Sequence, residues 1–207
     1  MIAAKRGRRR SAAAVLAIAG PLLATACASP PLSLYTLAPP EPRSEGAPLG
    51  RHAVVVEVRR VVLPDYLDSQ DILVRDGARL DRSPRGRWAS RLSVTITHYL
   101  TGLLAARRPD ALVTDQPQVR TPDDRIFITI GTLDVTRSGT ATLEADWTIA
   151  PRSPAEPERL QRARFTASGP VASDQEVVTL VQTLLVRLAD AIETSLPRPQ
   201  RTARQGR

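Results

Sequence analysis

A chain of 207 residues is long enough for one domain with its own core, while a single cysteine and 3% aromatic content argue against a disulfide scaffold, a thiol-built metal cluster and base-stacking recognition of nucleic acid. The formal net charge of +8 sits at the two ends: "KRGRRR" at residues 5–10 carries five positive charges, and "RPQRTARQGR" at residues 198–207 carries four with no acid. What lies between is close to neutral, so no nucleic-acid partner is expected.

The basic cluster is followed by an apolar run over residues 11–24 and then by the small residues Thr25 and Ala26, the order of a secretory signal. The run is shorter than the roughly 20 residues a membrane span needs. Directly after it stands Cys27, the sole cysteine, and "ATAC" at 24–27 resembles the lipobox of bacterial lipoproteins, with Ala24 where leucine is usual. The resemblance implies cleavage before Cys27 and lipidation of its thiol and new amino group. The alternative is a secreted protein whose cysteine is incidental. One acyl chain holds a protein only marginally and several hold it firmly, so a lipidated Cys27 makes the chain tethered. Ala28 and Ser29 follow, without the aspartate that retains lipoproteins at the inner membrane, and the expected location is the outer membrane, facing the periplasm.

The mature chain then divides into a linker at 27–51, a folded domain at 52–196 and a disordered basic tail at 197–207, after the signal peptide at 1–26. In the linker, "LSLYTL" at 32–37 reads as a short strand between proline-rich flanks. "HAVVVEVRRVVLP" from His52 is a β-branched run with Val54, Val56 and Val58 on one face, stopped by Pro64. "DILVRDG" and "ARLDRS" predict a hairpin with its turn at Asp76-Gly77. From Trp88 the period changes: Trp88, Leu92, Ile96, Tyr99, Leu100, Leu103 and Leu104 recur at helical spacing, and Pro109 closes the helix.

Two long alternating segments, "DRIFITIGTLDVTR" and "TATLEADWTIA", predict a hairpin turning at Ser138-Gly139, with Ala141, Leu143, Ala145, Trp147 and Ile149 on its inner face. "LQRARFTASG" returns as a third strand with Ala163, Phe165 and Ala167 inward. Ser173 and Glu176 form a capping box ahead of a helix whose stripe is Val177, Leu180, Val181, Leu184, Leu185, Leu188 and Ile192. The expected fold is α+β, a two-layer sandwich of a mainly antiparallel sheet with two amphipathic helices on one face.

Chemistry-bearing residues are sparse. His52 and His98 have no partner ligands at metal spacing, and Asp65, Asp68 and Asp71 lack the glycine and closing glutamate of a calcium loop, so they read as turn and capping residues. With Cys27 lipidated no cysteine nucleophile remains. The expected protein is non-catalytic, with no cofactor and no metal.

One ordered set of pieces is more specific than any of its members: Cys27, then Tyr35-Thr36-Leu37, then Leu63-Pro64 with Tyr66-Leu67, then Ile72, Val74 and Arg75, then Trp88 with Leu92. It resembles the PqiC-type family of ABC-transport auxiliary lipoproteins, over nearly all of residues 27–196. "DILV" at 71–74 departs from the family's more usual Pro-Gln-Ile-Val, and the arginine-rich tail is a further departure. The resemblance implies a periplasmic subunit, anchored in the outer membrane, that works with an MCE-domain protein and an inner-membrane ABC transporter or permease to move lipid and keep the outer membrane intact. Docking by a homo-oligomeric ring is one form this would take. Tyr66, Leu67 and Asp65 are the candidate partner-contact residues, with Trp88 expected in the core. The alternatives are a periplasmic lipid-binding carrier, which would need an enclosed apolar cavity, and a structural or pilotin-like lipoprotein of another envelope assembly.

Overall fold

The computed structural model describes residues 31–37, 49–50 and 53–197. Cys27, His52 and the basic tail lie outside the described residues. Among the described residues eight strands and two helices follow in chain order: β1 (Ser33–Tyr35), β2 (Val54–Val58), β3 (Asp71–Asp76), β4 (Arg79–Trp88), α1 (Leu92–Arg107), β5 (Ala111–Thr114), β6 (Asp124–Val135), β7 (Thr140–Pro151), β8 (Arg159–Ser168) and α2 (Asp174–Ser195).

The larger sheet has the order β5-β2-β6-β7-β8, and its frame is the predicted hairpin of β6 and β7. Alternation places Ile126, Ile128, Ile130, Ala141, Leu143, Ala145, Trp147 and Ile149 on the buried side, all 4% exposed or less. Gly139 turns the hairpin at a φ of 83°, a left-handed conformation that side-chain-bearing residues avoid. A bulge between Ile130 and Thr132 leaves Gly131 as the extra residue. β8 adds antiparallel to β7, its inward residues Ala163, Phe165 and Ala167 as expected.

The other half of this sheet is parallel. β2 pairs parallel with β6 on one side and with β5 on the other, so the sandwich is built on mixed sheets. Parallel neighbours need a crossover, and β3, β4 and α1 supply it between β2 and β5. β5 itself, four residues "ALVT" after Pro109, has no counterpart among the predicted elements. Past Val58 the chain keeps to β6 irregularly: Arg59 N–H donates to Ile126 O at 2.9 Å and Val62 N–H to Ile128 O at 3.0 Å.

The second sheet has the order β1-β4-β3, with β1 parallel to β4 and β3 antiparallel to it. The hairpin turns at Gly77, φ 60°, beside Asp76 as predicted. β4 runs as far as Trp88, so Trp88 ends a strand and does not open the helix, which starts at Leu92. Its indole is 2% exposed and belongs to the core.

Both helices pack against the buried face. α2 keeps its predicted stripe, with Leu184, Leu185, Leu188 and Ile192 fully buried, and Ser173 and Glu176 cap it reciprocally. α1 is buried more widely than one apolar face: Ser93, Thr95, Thr97 and Thr101 are under 9% exposed too. Thr97 and Thr101 satisfy their hydroxyls on the carbonyls one turn back, at 2.6 and 2.8 Å, so burying them leaves no orphan donor. Arg107 Nη2 ties α1 to Asp190 of α2 at 2.6 Å.

Candidate functional site

The candidate partner-contact residues lie in the loop that leaves the β6 edge at Leu63. Pro64 ends the extended run, and its carbonyl accepts from Leu67 N–H at 2.9 Å and Asp68 N–H at 3.2 Å, closing a tight turn. That turn sorts the three side chains. Asp65 and Tyr66 face solvent, Tyr66 at 44% exposure, whereas Leu67 points inward at 5%. Leu67 therefore packs in the core beneath the loop and offers a partner nothing directly; the outer surface here is Tyr66 with Asp65.

The loop is held by its own aspartates, each with a different task. Asp68 Oδ1 accepts Ser93 N–H at 3.1 Å at the start of α1, and Ser69 O accepts Leu92 N–H at the same distance. Burial raises the Asp68 carboxyl, but the Ser93 hydroxyl and amide and the charges of Arg91 and Arg60 outweigh it and hold the group below the ordinary carboxylate range. Asp71 leads into β3 and lies 3.2 Å from Arg87 Nε and 3.7 Å from Arg82 Nη1. Among the described residues no group of three metal-ligating side chains converges.

Behind the loop, Arg75 of β3 joins the two sheets. Its Nη2 donates to Asp134 Oδ1 at 2.9 Å and its Nε lies 2.8 Å from Oδ2, while its carbonyl accepts Arg137 N–H at 3.0 Å. The hydrogen bond and charge of Asp134 hold this guanidinium above the ordinary arginine value, and the Tyr66 side chain lies close enough to contribute. The tyrosine is thus a neighbour of a fixed cation at the seam between sheets.

Two further features lie elsewhere. On the solvent face of the larger sheet, Glu57 accepts from Arg59 Nη1 at 2.7 Å and Arg125 Nε at 3.0 Å at the base of an open cleft of about 500 Å³, bordered by Pro117, Val119 and Phe127. Burial pushes the Glu57 carboxyl up, and the two arginines more than reverse it. Alternation in β2 signals Glu57 as outward-facing, but the loop that walls the cleft is not legible from a local pattern. His98 is 74% exposed with Nδ1 3.5 Å from Asp115 Oδ2, a surface contact.

The residues that carry the family resemblance are mostly packing residues. Leu37, Leu63, Leu67, Ile72, Trp88 and Leu92 are all 9% exposed or less and meet in one core. Tyr66 is the large side chain of the set that faces outward.

A crystal structure described as that of an uncharacterized protein superposes with a TM-score of 0.65 at 17% identity, covering 80% of this chain and 98% of that one. A protein from Xanthomonas campestris superposes at 0.54 and 15% identity, covering 77% and 92%. At such identities these likenesses establish the fold alone. No curated protein matches in sequence. The family model described as "ABC-type transport auxiliary lipoprotein component" matches residues 35–193, from β1 to the last turn of α2, and the chain belongs to that family.

Proposed function

We propose that the protein is a non-catalytic subunit of an MCE/ABC-type lipid transport system, anchored to the outer membrane through Cys27 and docking an MCE-domain protein in the periplasm. The observation that carries this reading is the match to the auxiliary lipoprotein family across the folded domain, and a basic then apolar stretch followed directly by the chain's one cysteine supports it. The lipid fixes one end of the assembly, the domain supplies a rigid docking body, and the energy comes from the transporter's ATPase.

Two features favour docking over lipid carriage. Ile96, Leu100, Leu104, Ile126, Ile128, Ile130, Leu184 and Leu188 fill the space between sheet and helices, each 1% exposed or less. The cleft on the opposite sheet face is open and floored by Glu57 between two arginines, which suits water better than acyl chains. Tyr66, with Asp65 beside it, is the contact we assign to the partner: an amphipathic ring on a turn held by both α1 and β3 loses little entropy on binding. Several copies would dock as a ring.

Complementation tests the reading. Cells lacking the gene should admit large hydrophobic antibiotics, the wild-type gene should restore the barrier, and Cys27→Ala should not. Full restoration by Cys27→Ala, with the protein free in the periplasm, would remove the anchor from the account.

A further inference from the structure

β1 and the residue just before it carry two large apolar side chains that the core does not use. Leu32 is 63% exposed and Leu34 is 68% exposed, although Tyr35 and Leu37 immediately after them turn inward. β1 is the edge strand of the smaller sheet and runs parallel to β4 in the register Ser33 to Gly86, Leu34 to Arg87 and Tyr35 to Trp88. Registered neighbours share a face. Gly86 and Trp88 are buried, so Leu34 and Arg87 belong to the outer face. Arg85 lies just before Gly86, in the irregular stretch of β4 between its Arg82 and Arg87 pairings with β3, and is itself exposed. Leu34 and Arg87 therefore share the outer face of the β1–β4 ribbon, and Leu32 and Arg85 are exposed where that pairing begins. Arg87 leans on Asp71 at 3.2 Å, and Arg85 makes no ion pair among the described residues.

Leucine side chains flanked by arginine make a poor surface for water and a good one for the boundary between acyl chains and anionic headgroups. Chain length singles out that occupant. Leu32 stands five positions after Cys27, and at ~3.5 Å or less per step it lies no farther than about 17 Å from the anchor point. Pro30 and Pro31 are two of the four residues between them.

We propose that the outer face of the β1–β4 ribbon at Leu34 and Arg87, with the exposed Leu32 and Arg85 beside it, lies against the anionic phospholipid surface in which Cys27 is anchored. The lipid then holds the chain by its end while this face sets the domain's orientation, leaving the Tyr66 loop free for a protein partner. The inference rests on the reading of Cys27 as the lipidation site.

The test uses the full mature lipoprotein in vesicles of phosphatidylethanolamine and phosphatidylglycerol. Lipidation consumes the one native thiol, so Leu34→Cys or Leu32→Cys introduces a single labelling site for a fluorophore, and lipids carrying a nitroxide near the headgroup quench whatever touches the interface. Leu160→Cys on β8, at the same 68% exposure as Leu34, is the reference. Labels at 32 and 34 should be quenched and the label at 160 should not. Arg85→Ala should lower the ratio of docked to undocked protein about fivefold at low salt, the worth of one arginine at an anionic surface. Equal quenching at 34 and 160, no quenching at 32 and 34, or shielding of those labels by a second protein copy would overturn the proposal. Mass spectrometry of the same sample separates the premise: a mature N-terminus without lipid on Cys27 overturns the anchor reading itself, whereas lipid on Cys27 with unquenched labels overturns this face alone.

Discussion

Asp68 caps a helix that begins more than twenty residues after it: its Oδ1 accepts Ser93 N–H at 3.1 Å across a sequence separation of 25. Arg91, at the position that ordinarily supplies the cap, makes no side-chain hydrogen bond to α1. The Pro64–Ser69 loop and α1 are thereby one unit, and the outward position of Tyr66 depends on it. Asp68→Ala should cost about 1 kcal/mol, the usual worth of a lost cap, read as a lower thermal midpoint.

The same residue has a pH signature. A carboxyl held below its ordinary value contributes stability above that value, near pH 4, and loses it as the pH falls through the lower folded value. Asp68→Asn should therefore resemble the parent near pH 7 less than it does in acid, where its melting temperature should fall less steeply below pH 4. Parallel acid limbs in parent and variant would separate Asp68 from acid unfolding.

Asp124 behaves in the opposite sense. It opens β6 at 7% exposure, and burial pushes its carboxyl up, with Asp123 and Glu156 adding to the rise and Arg159 and Arg108 opposing it. The folded chain holds this proton more tightly than the unfolded one, so stability falls as the pH rises from about 4 through the raised value. Asp124→Asn should melt higher than the parent at pH 7, and the gap should close towards pH 4.

Two glycines of the long hairpin should part company. At Gly139 a Cβ would overlap the Gly169 carbonyl and force a side chain into positive φ, so Gly139→Ala should cost about 2 kcal/mol or more in chemical denaturation. At Gly131 nothing lies within 4 Å of a new Cβ. Gly131→Ala should stay within about 0.5 kcal/mol of the parent.

Trp88 and Tyr66 separate packing from contact. Trp88→Ala empties a core position and should cost about 3–5 kcal/mol. Tyr66→Ala removes a half-exposed ring and should leave the urea midpoint nearly unchanged while weakening partner capture. A midpoint that drops as far for Tyr66→Ala as for Trp88→Ala would return Tyr66 to the core.

What could be read from sequence here follows from how local the physics is. The hairpin at Gly139, the capping box at Ser173 and the inner faces of β6, β7 and α2 are written in period and turn chemistry within a dozen residues. β5 is four residues long, too short for a period, and its strand character comes from lying beside β2. The parallel pairing of β2 is likewise a tertiary choice. Trp88 fits the helical spacing of the residues after it, yet Trp88 N–H donates to Gln70 O at 2.7 Å and keeps it in β4. The proline before the Asp65–Leu67 triplet announces a turn, but which side chain turns inward depends on the hydrogen bonds that close it, and Leu67 took that place.

The central claim is that this domain docks an MCE-domain protein through the Tyr66 loop. It is tested most directly by placing a photo-cross-linking amino acid at position 66 in the full-length lipoprotein, irradiating intact cells and identifying the adduct by mass spectrometry, with position 160 on β8 as the reference. The account predicts an adduct with an MCE-domain protein from position 66 and none from position 160. Irradiation that yields no MCE-domain adduct from position 66, with the lipoprotein present at its normal level in the outer membrane, would contradict it.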